Sequence, residues 1–202
     1  MQQVALDAAF VCPLCAGVGD GVNPCRACVQ QPPPFDRLWA SVYYEPPISG
    51  IVHAWKHQRQ LALTHVLAEI MIATPPPWLL DAPIDGVLAM PLSHERRLWR
   101  GFNQCDELAN LLAKHYGWDC LPSDTMSRQT APPQSTLKRD ERQQNIAGVF
   151  RVARDVKKRN LLLIDDVVTT GATLAEISRM LKLAGVRSLS CWTLARTQMQ
   201  KN

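Results

Sequence analysis

A chain of 202 residues with 47% hydrophobic content has material for one main domain with a real core and a small appendage, not for several domains. The net charge of +4 suits an anionic small molecule and permits nucleic-acid contact, though a solvated basic face is equally common at this balance. No apolar run approaches the roughly 20 residues of a bilayer span and no charged-then-apolar signal segment opens the sequence, so membrane insertion is excluded and a cytoplasmic protein is expected.

The first landmark is Cys12, Cys15, Cys25 and Cys28, two C-x2-C pairs nine residues apart in a stretch of Pro, Gly and Asn. Four thiolates at this spacing close a tetrahedral Zn2+ site, and so short a segment needs such a staple to fold. Two disulfides are the alternative, disfavoured where thiols stay reduced. Four protein ligands leave no open position, so the zinc is expected to be structural. Pro32-Pro33-Pro34 ends this module, which divides the chain into a four-cysteine zinc-binding module at 1–34 and a main domain at 35–202. Cys105, Cys120 and Cys191 have no partner at ligand spacing and read as small buried hydrophobes.

Leu38 to Tyr44 reads as a strand from its aromatic and β-branched residues, and Pro47 opens a helix with Ile48, Ile51, Val52 and Trp55 on one side. Leu61 to Ala73 reads as a further helix, stopped by Pro75-Pro76-Pro77, and Ile84 to Met90 as a buried strand. Asn103 to His115 has Leu108, Leu111 and Leu112 at helical spacing, with Gly117 past its end. Leu161 to Ile164 and Val186 to Leu194 supply further strands around a helix from Thr173 to Ala184. Strands alternating with helices predict an α/β fold with a mostly parallel sheet and right-handed crossovers.

Two stretches between these elements carry charge. Pro91 to Gln104 includes Arg96, Arg97, Arg100 and Gly101 after a strand end, an arrangement that suits a second anion site. Its bland reading is an exposed basic loop. Arg128 to Phe150 combines prolines with Lys138, Arg139 and Arg142, and reads as a mobile basic loop running into a short helix near Gly148. A plain connector fits that composition equally well. The five histidines lack an acid or nucleophile at a diagnostic spacing and read as core or surface residues.

The most informative run is Leu161 to Thr173: four aliphatic residues, Asp165-Asp166, Val167-Val168, then Thr169-Thr170-Gly171-Ala172-Thr173. It sets an acidic pair and a hydroxyl-rich loop between a strand's carboxyl end and a helix's amino end, where open α/β sheets bind ligands. The loop suits a phosphate. Two adjacent acids beside a phosphate repel it unless they face sugar hydroxyls or a metal ion, and a ribose 5-phosphate meets both demands. Helix capping alone would need only one such residue.

This run resembles the phosphoribosyl pyrophosphate (PRPP) motif of the type I phosphoribosyltransferases. Together with the cysteine pairs, Trp55-Lys56-His57, the Arg100-Gly101-Phe102-Asn103-Gln104 string and a segment holding Arg128, Thr130, Gln134, Leu137, Arg142, Asn145 and Phe150, it resembles the ComF family across nearly the whole chain. The resemblance implies a type I phosphoribosyltransferase-like parallel sheet flanked by helices, behind a small zinc-ribbon-like module. It implies that Asp165, Asp166, Val167, Val168, Thr169, Thr170, Gly171, Ala172 and Thr173 bind PRPP, with Asp165 and Asp166 meeting the ribose hydroxyls, directly or through Mg2+, and Thr169 to Thr173 holding the 5-phosphate, and that Arg96, Arg97, Arg100, Gln134 and Arg142 steady the pyrophosphate. It further implies transfer of the phosphoribosyl group to an acceptor that no stretch identifies, and an association with DNA uptake or DNA utilisation. The alternative is an accessory protein that binds PRPP or single-stranded DNA without turnover, partnered by DNA-uptake proteins. Relatives of this type often pair as homodimers.

Overall fold

The computed structural model describes residues 4–58, 60–81, 83–128 and 150–198. Its central sheet has four parallel strands: β1 (Arg37–Tyr43), β2 (Gly86–Ala89), β5 (Asn160–Val168) and β6 (Ser188–Arg196), in the spatial order β1-β6-β5-β2. Between β2 and β5 in the chain, β3 (Met126–Arg128) and β4 (Phe150–Val152) form a separate antiparallel pair. Consecutive residues are buried along β1, β5 and β6, as expected of strands covered on both faces. The helices are α1 (Arg26–Gln30), α2 (Ile48–His57), α3 (Leu63–Ala73), α4 (His94–Arg100), α5 (Gln104–Tyr116) and α6 (Ala172–Leu183). Helices α3 and α5 pack on each other, α5 against β2 and β5, and α6 against β6 and β4.

Apolar spacing explains why these helices dock. Leu108 and Leu112 on α5, and Leu174, Ile177 and Leu181 on α6, recur every three or four residues and are fully buried. The large polar-tipped rings satisfy their own donors inside the core: Trp55 Nε1 donates to Thr64 Oγ1 (2.9 Å) and Trp192 Nε1 to Ser41 Oγ (2.9 Å). Ser41 in turn donates to the Thr74 carbonyl, the C-cap of α3.

The amino-terminal segment docks on the β1 edge. Ala5 bridges Val42 in antiparallel fashion, the Leu38 amide donates to the Leu14 carbonyl, and Leu6, Val11 and Ala16 belong to the same core cluster as the sheet.

The predicted strands and helices that fall on described residues occur, with shifted ends. Residues 94–100, read as a basic loop, form α4: the Ser93 hydroxyl caps it and Gly101 ends it. The predicted loop and short helix between Arg128 and Phe150, with Thr130, Gln134, Leu137, Arg142 and Asn145, lie outside the described residues apart from the end positions Arg128 and Phe150.

Candidate ligand site at the carboxyl end of the sheet

Strand β5 is longer than predicted, and its extra length builds the site. It stays paired with β6 as far as Val168↔Arg196, but its other neighbour β2 ends at the Ala89↔Ile164 pair. Asp165 to Val168 therefore overhang β2, hydrogen-bonded on one side and open on the other. This is the crevice beyond the strand ends where open parallel sheets place ligands.

The acidic pair sits in this overhang, and the structure resolves its self-repulsion in two ways. Asp166 forms an ion pair with Lys56 from the last turn of α2 (Nζ–Oδ1 2.7 Å), with both side chains mostly buried. Asp165 is 8% exposed, and burial, followed by the Asp166 charge, pushes its carboxyl up to about 7. Its Oδ1 accepts from the Asp166 amide (2.9 Å) and from the Cys105 thiol (3.8 Å) in the first turn of α5. Burial and both aspartates raise the Cys105 thiol, so it stays protonated and donates. The sulfur of Cys105 and carboxylate oxygens of Asp165 and Asp166 lie within 4.8 Å of one another.

Beyond the acids the chain turns through exposed Thr169 and Thr170 to Gly171, which adopts φ 79°, ψ 2° and begins α6. An L side chain rarely adopts that φ, although space at the position is open, with Val168 Cγ2 3.9 Å from where a Cβ would lie. Gly171 has no side chain with which to cap the helix, and the Ala172 amide makes only a long bond to Thr170 Oγ1 (3.4 Å). The first turn of α6 thus turns weakly committed amides and the positive end of its dipole toward the crevice.

Two guanidinium groups lie within electrostatic range of the acids. The charge of Asp166 reaches Arg100, that of Asp165 reaches Arg128, and Arg96 lies within electrostatic range of Arg100, Arg128 and His57. Arg100 donates to Gln104 Oε1 (2.9 Å), while Arg100 Nε and Gln104 Nε2 are buried donors with no protein partner among the described residues. Arg97 points elsewhere, 3.7 Å from Asp106 of α5. Of the predicted site residues, Asp165 to Val168 form the overhang and Thr169 to Thr173 follow it, Arg100 lies within electrostatic range of Asp166, and Arg96 lies within range of Arg100 and Arg128. Gln134 and Arg142 lie outside the described residues.

Sequence reasoning missed the roles of Lys56 and Cys105. Lys56 stood out only as a landmark, since nothing in a helical pattern says which strand its ammonium reaches. Cys105 follows Asn103, whose side chain caps α5 and donates to the Met90 carbonyl at the end of β2. A residue in the first turn of a helix beginning there was the available signal.

The second cluster lies at the amino terminus. The four sulfurs of Cys12, Cys15, Cys25 and Cys28 lie within 4.8 Å of one another, and those of Cys15 and Cys25 are 3.8 Å apart. Tetrahedral zinc with Zn–S bonds of about 2.3 Å needs sulfurs about 3.8 Å apart, so the donor set fits. Burial raises the Cys12 thiol, but the amides of Cys25, Cys15 and Leu14 outweigh it and bring the group to about 7, whereas burial pushes Cys15 up to about 11 and Cys28 well above the usual thiol range. The buried Arg196 guanidinium holds the loop to the sheet through the Cys15 carbonyl (2.9 Å), one strand away from Val168.

A parallel sheet with an overhanging acidic pair, a threonine loop opening a helix and a four-cysteine module at the sheet edge is a type I phosphoribosyltransferase-like architecture. The family model described as phosphoribosyl transferase domain matches residues 108–201. The chain is 36% identical to the DNA utilization protein YhgH of Salmonella typhi over 195 residues, 93% of this chain and 84% of that one. It is 30% identical to competence protein F of Haemophilus influenzae over 182 residues, 85% and 78% of the two chains. A solved structure of the allosteric regulatory enzyme of purine biosynthesis aligns at 16% identity with a TM-score of 0.45, over 66% of this chain and 25% of that one. The chain belongs to the ComF family.

Proposed function

We propose that the crevice binds PRPP with Mg2+ and that the chain transfers the phosphoribosyl group to an acceptor, releasing pyrophosphate. The observation that carries this reading is the overhang of β5, which brings the acids, the Thr169 to Thr173 loop and the guanidinium groups into one crevice. The loop amides and hydroxyls hold the 5-phosphate. Asp165 and Asp166 accept hydrogen bonds from the ribose hydroxyls. Arg96 and Arg100, with the buried donors Arg100 Nε and Gln104 Nε2, meet the pyrophosphate. Gln134 and Arg142 join them in this reading. Arg97 contributes through general charge, since its guanidinium is paired with Asp106.

As the bond at the anomeric carbon breaks, positive charge builds on the ribosyl group, and the two carboxylates stabilise it electrostatically. Lys56 acts as a positioning residue that holds the Asp166 side chain in place until ligand arrives. The carboxylate oxygens suit Mg2+, which supplies charge neutralisation of the diphosphate when bound, whereas the Cys105 sulfur is too soft a ligand for it. The four-cysteine cluster holds a structural zinc.

The test is calorimetric titration of the zinc-loaded chain with PRPP and Mg2+, followed by a pyrophosphate-release screen over candidate acceptors. PRPP binding that Asp165→Ala abolishes, with release triggered by one acceptor, is the expected result. Tight PRPP binding with no release across a broad panel points instead to an accessory role.

A second reading has its own support. Relatives are named for DNA utilisation and competence, and α4 exposes Arg96, Arg97, Leu98 and Trp99 on a helix of only seven residues. A non-catalytic protein that binds single-stranded DNA beside DNA-uptake partners would use that face. Its affinity for an oligonucleotide should fall steeply with salt and fall further when Arg96, Arg97 and Arg100 are neutralised. No helix among the described residues is long and apolar enough to cross a membrane. A cytoplasmic setting belongs to this reading, and sedimentation would show whether the chain pairs as a homodimer.

A further inference from the structure

The four-cysteine cluster and the threonine loop meet in one residue, Arg196, the last of β6. Its backbone is fixed from both sides. The Arg196 carbonyl accepts from the amide of Tyr44, just past β1 (2.8 Å), and Arg196 pairs in register with Val168, the last residue of β5 before Thr169. The next amide, that of Thr197, donates to the Val168 carbonyl (3.1 Å). The end of β6 thus holds the base of the threonine loop.

The side chain of the same residue faces the cysteines. Arg196 is 6% exposed, and its Nη1 donates to the Cys15 carbonyl (2.9 Å). Gly17 stands between the guanidinium and the Cys15 sulfur: a Cβ there would lie 3.3 Å from Cys15 Sγ and 3.4 Å from Arg196 Nη2, so any side chain would press on both. The Gly17 carbonyl accepts from the Cys12 amide (2.6 Å), which ties the glycine to a second of the four cysteines. A glycine at this point serves the close approach of guanidinium and sulfur. Zinc on four thiolates carries a net negative charge, and a buried guanidinium is costly without a counter-charge. Each supplies what the other lacks.

We propose that Arg196 is the positioning residue of the zinc site and couples it to the Thr169 to Thr173 loop, so that zinc and the ligand of that loop each raise the chain's affinity for the other. The coupling rests on the reading of that loop as a phosphate site; the role of Arg196 toward zinc does not. When zinc leaves, the turn that carries the Cys15 carbonyl loosens and the guanidinium loses both its acceptor and its counter-charge. It regains hydration by moving out of its buried position, and that movement pulls on the strand end to which Val168 is bonded.

The test measures zinc affinity by competition with a chromogenic chelator, using the whole chain as wild type, Arg196→Gln, Arg196→Lys and Gly17→Ala. Each is run with and without saturating ribose 5-phosphate, and circular dichroism confirms the fold of the zinc-loaded chains. Arg196→Gln and Gly17→Ala should weaken zinc binding about ten- to a hundredfold, the usual effect of losing a group that orients a metal ligand. Arg196→Lys, which keeps the charge but not the fork, should lose less. In the Co2+-loaded chain the sulfur-to-cobalt charge-transfer band should shift in Arg196→Gln and Gly17→Ala, a change that a purely structural role would not produce. Ribose 5-phosphate should raise the zinc affinity of wild type about fivefold or more, and Arg196→Gln should bring that factor to about one. If Arg196→Gln does not fold, Gly17→Ala, which leaves β6 untouched, decides both comparisons. Wild-type zinc affinity and an unshifted cobalt band in the variants would overturn the role of Arg196. The coupling is refuted if ribose 5-phosphate binds wild type without changing its zinc affinity, or if the factor persists in the variants. Failure of ribose 5-phosphate to bind removes the loop reading and the coupling together, while the zinc affinities still decide the role of Arg196.

Discussion

Replacing Asp165 by Asn should stabilise the free protein while destroying its ligand site, and the stabilisation should depend on pH. The wild-type carboxyl is buried beside Asp166 and titrates near 7, against an ordinary value of 3.8. The folded chain therefore keeps this proton up to about pH 7, whereas the unfolded chain releases it near pH 4. Between those limits the folded state binds more protons, so wild-type stability falls as pH rises from about 4 to about 7 and is level above. At about 1.4 kcal/mol per pKa unit the full loss is about 4 kcal/mol, of which about 2–3 kcal/mol falls between pH 5 and pH 8. The amide cannot ionise, and its oxygen still accepts from the Asp166 amide. Urea unfolding of the zinc-loaded wild type and Asp165→Asn at the two pH values isolates the effect, because the zinc site titrates alike in both chains. The difference between the chains should move in the variant's favour by about 2–3 kcal/mol from pH 5 to pH 8, while PRPP affinity falls at least a hundredfold. A difference that is the same at both pH values would refute the claim that this carboxyl carries a buried, destabilising charge.

Lys56→Met should cost about 2–4 kcal/mol, since it leaves the Asp166 carboxylate mostly buried and unpaired. Adding Asp166→Asn should recover most of that loss, and a double-mutant cycle with coupling below about 0.5 kcal/mol would reject the pair as an energetic unit. Gly171→Ala has room for its methyl but not the backbone angle, so it should cost about 1–2 kcal/mol, or about 2–8 °C in a domain of this size. PRPP affinity should drop along with it, and an unchanged melting temperature would show that the loop relaxes freely. Metal analysis should find one zinc per chain. Because Leu6, Val11 and Ala16 share the main core, a strong chelator should lower the melting of the whole protein and not of a detached module. An unshifted melting curve in a metal-free sample would remove zinc from the account.

Local pattern made the elements legible, while the contacts between them were not written in it. Leu161 to Ile164 announced a doubly covered strand because four apolar residues in a row suit no half-exposed one. The same run hid where the strand stops, because Asp165 and Asp166 look like loop residues. Only the register against β6, which continues to Val168, shows that they are sheet residues beyond the end of β2. Helix α4 was missed for a related reason. Its seven residues, rich in Arg, lack a buried apolar stripe, so periodicity had nothing to register, and the signals that remained were the cap Ser93 and the terminator Gly101.

The acidic pair shows how this architecture makes tenable a motif that the sequence alone presents as a contradiction. Two carboxylates side by side in a low-dielectric crevice cannot both stay charged without help. Lys56 answers one of them with a full charge from another element, and proton uptake answers the other, with the Cys105 thiol and the Asp166 amide as its hydrogen-bond donors. Both remedies are reversible. A cationic or hydroxylated ligand that satisfies Asp165 releases its proton, so affinity for such a ligand should rise with pH up to about 7, opposite in sign to the stability of the free chain. The strain of holding these acids together in the free protein is thus part of the affinity for whatever replaces the proton, and for that reason a stabilised Asp165→Asn chain is expected to be an empty-handed one.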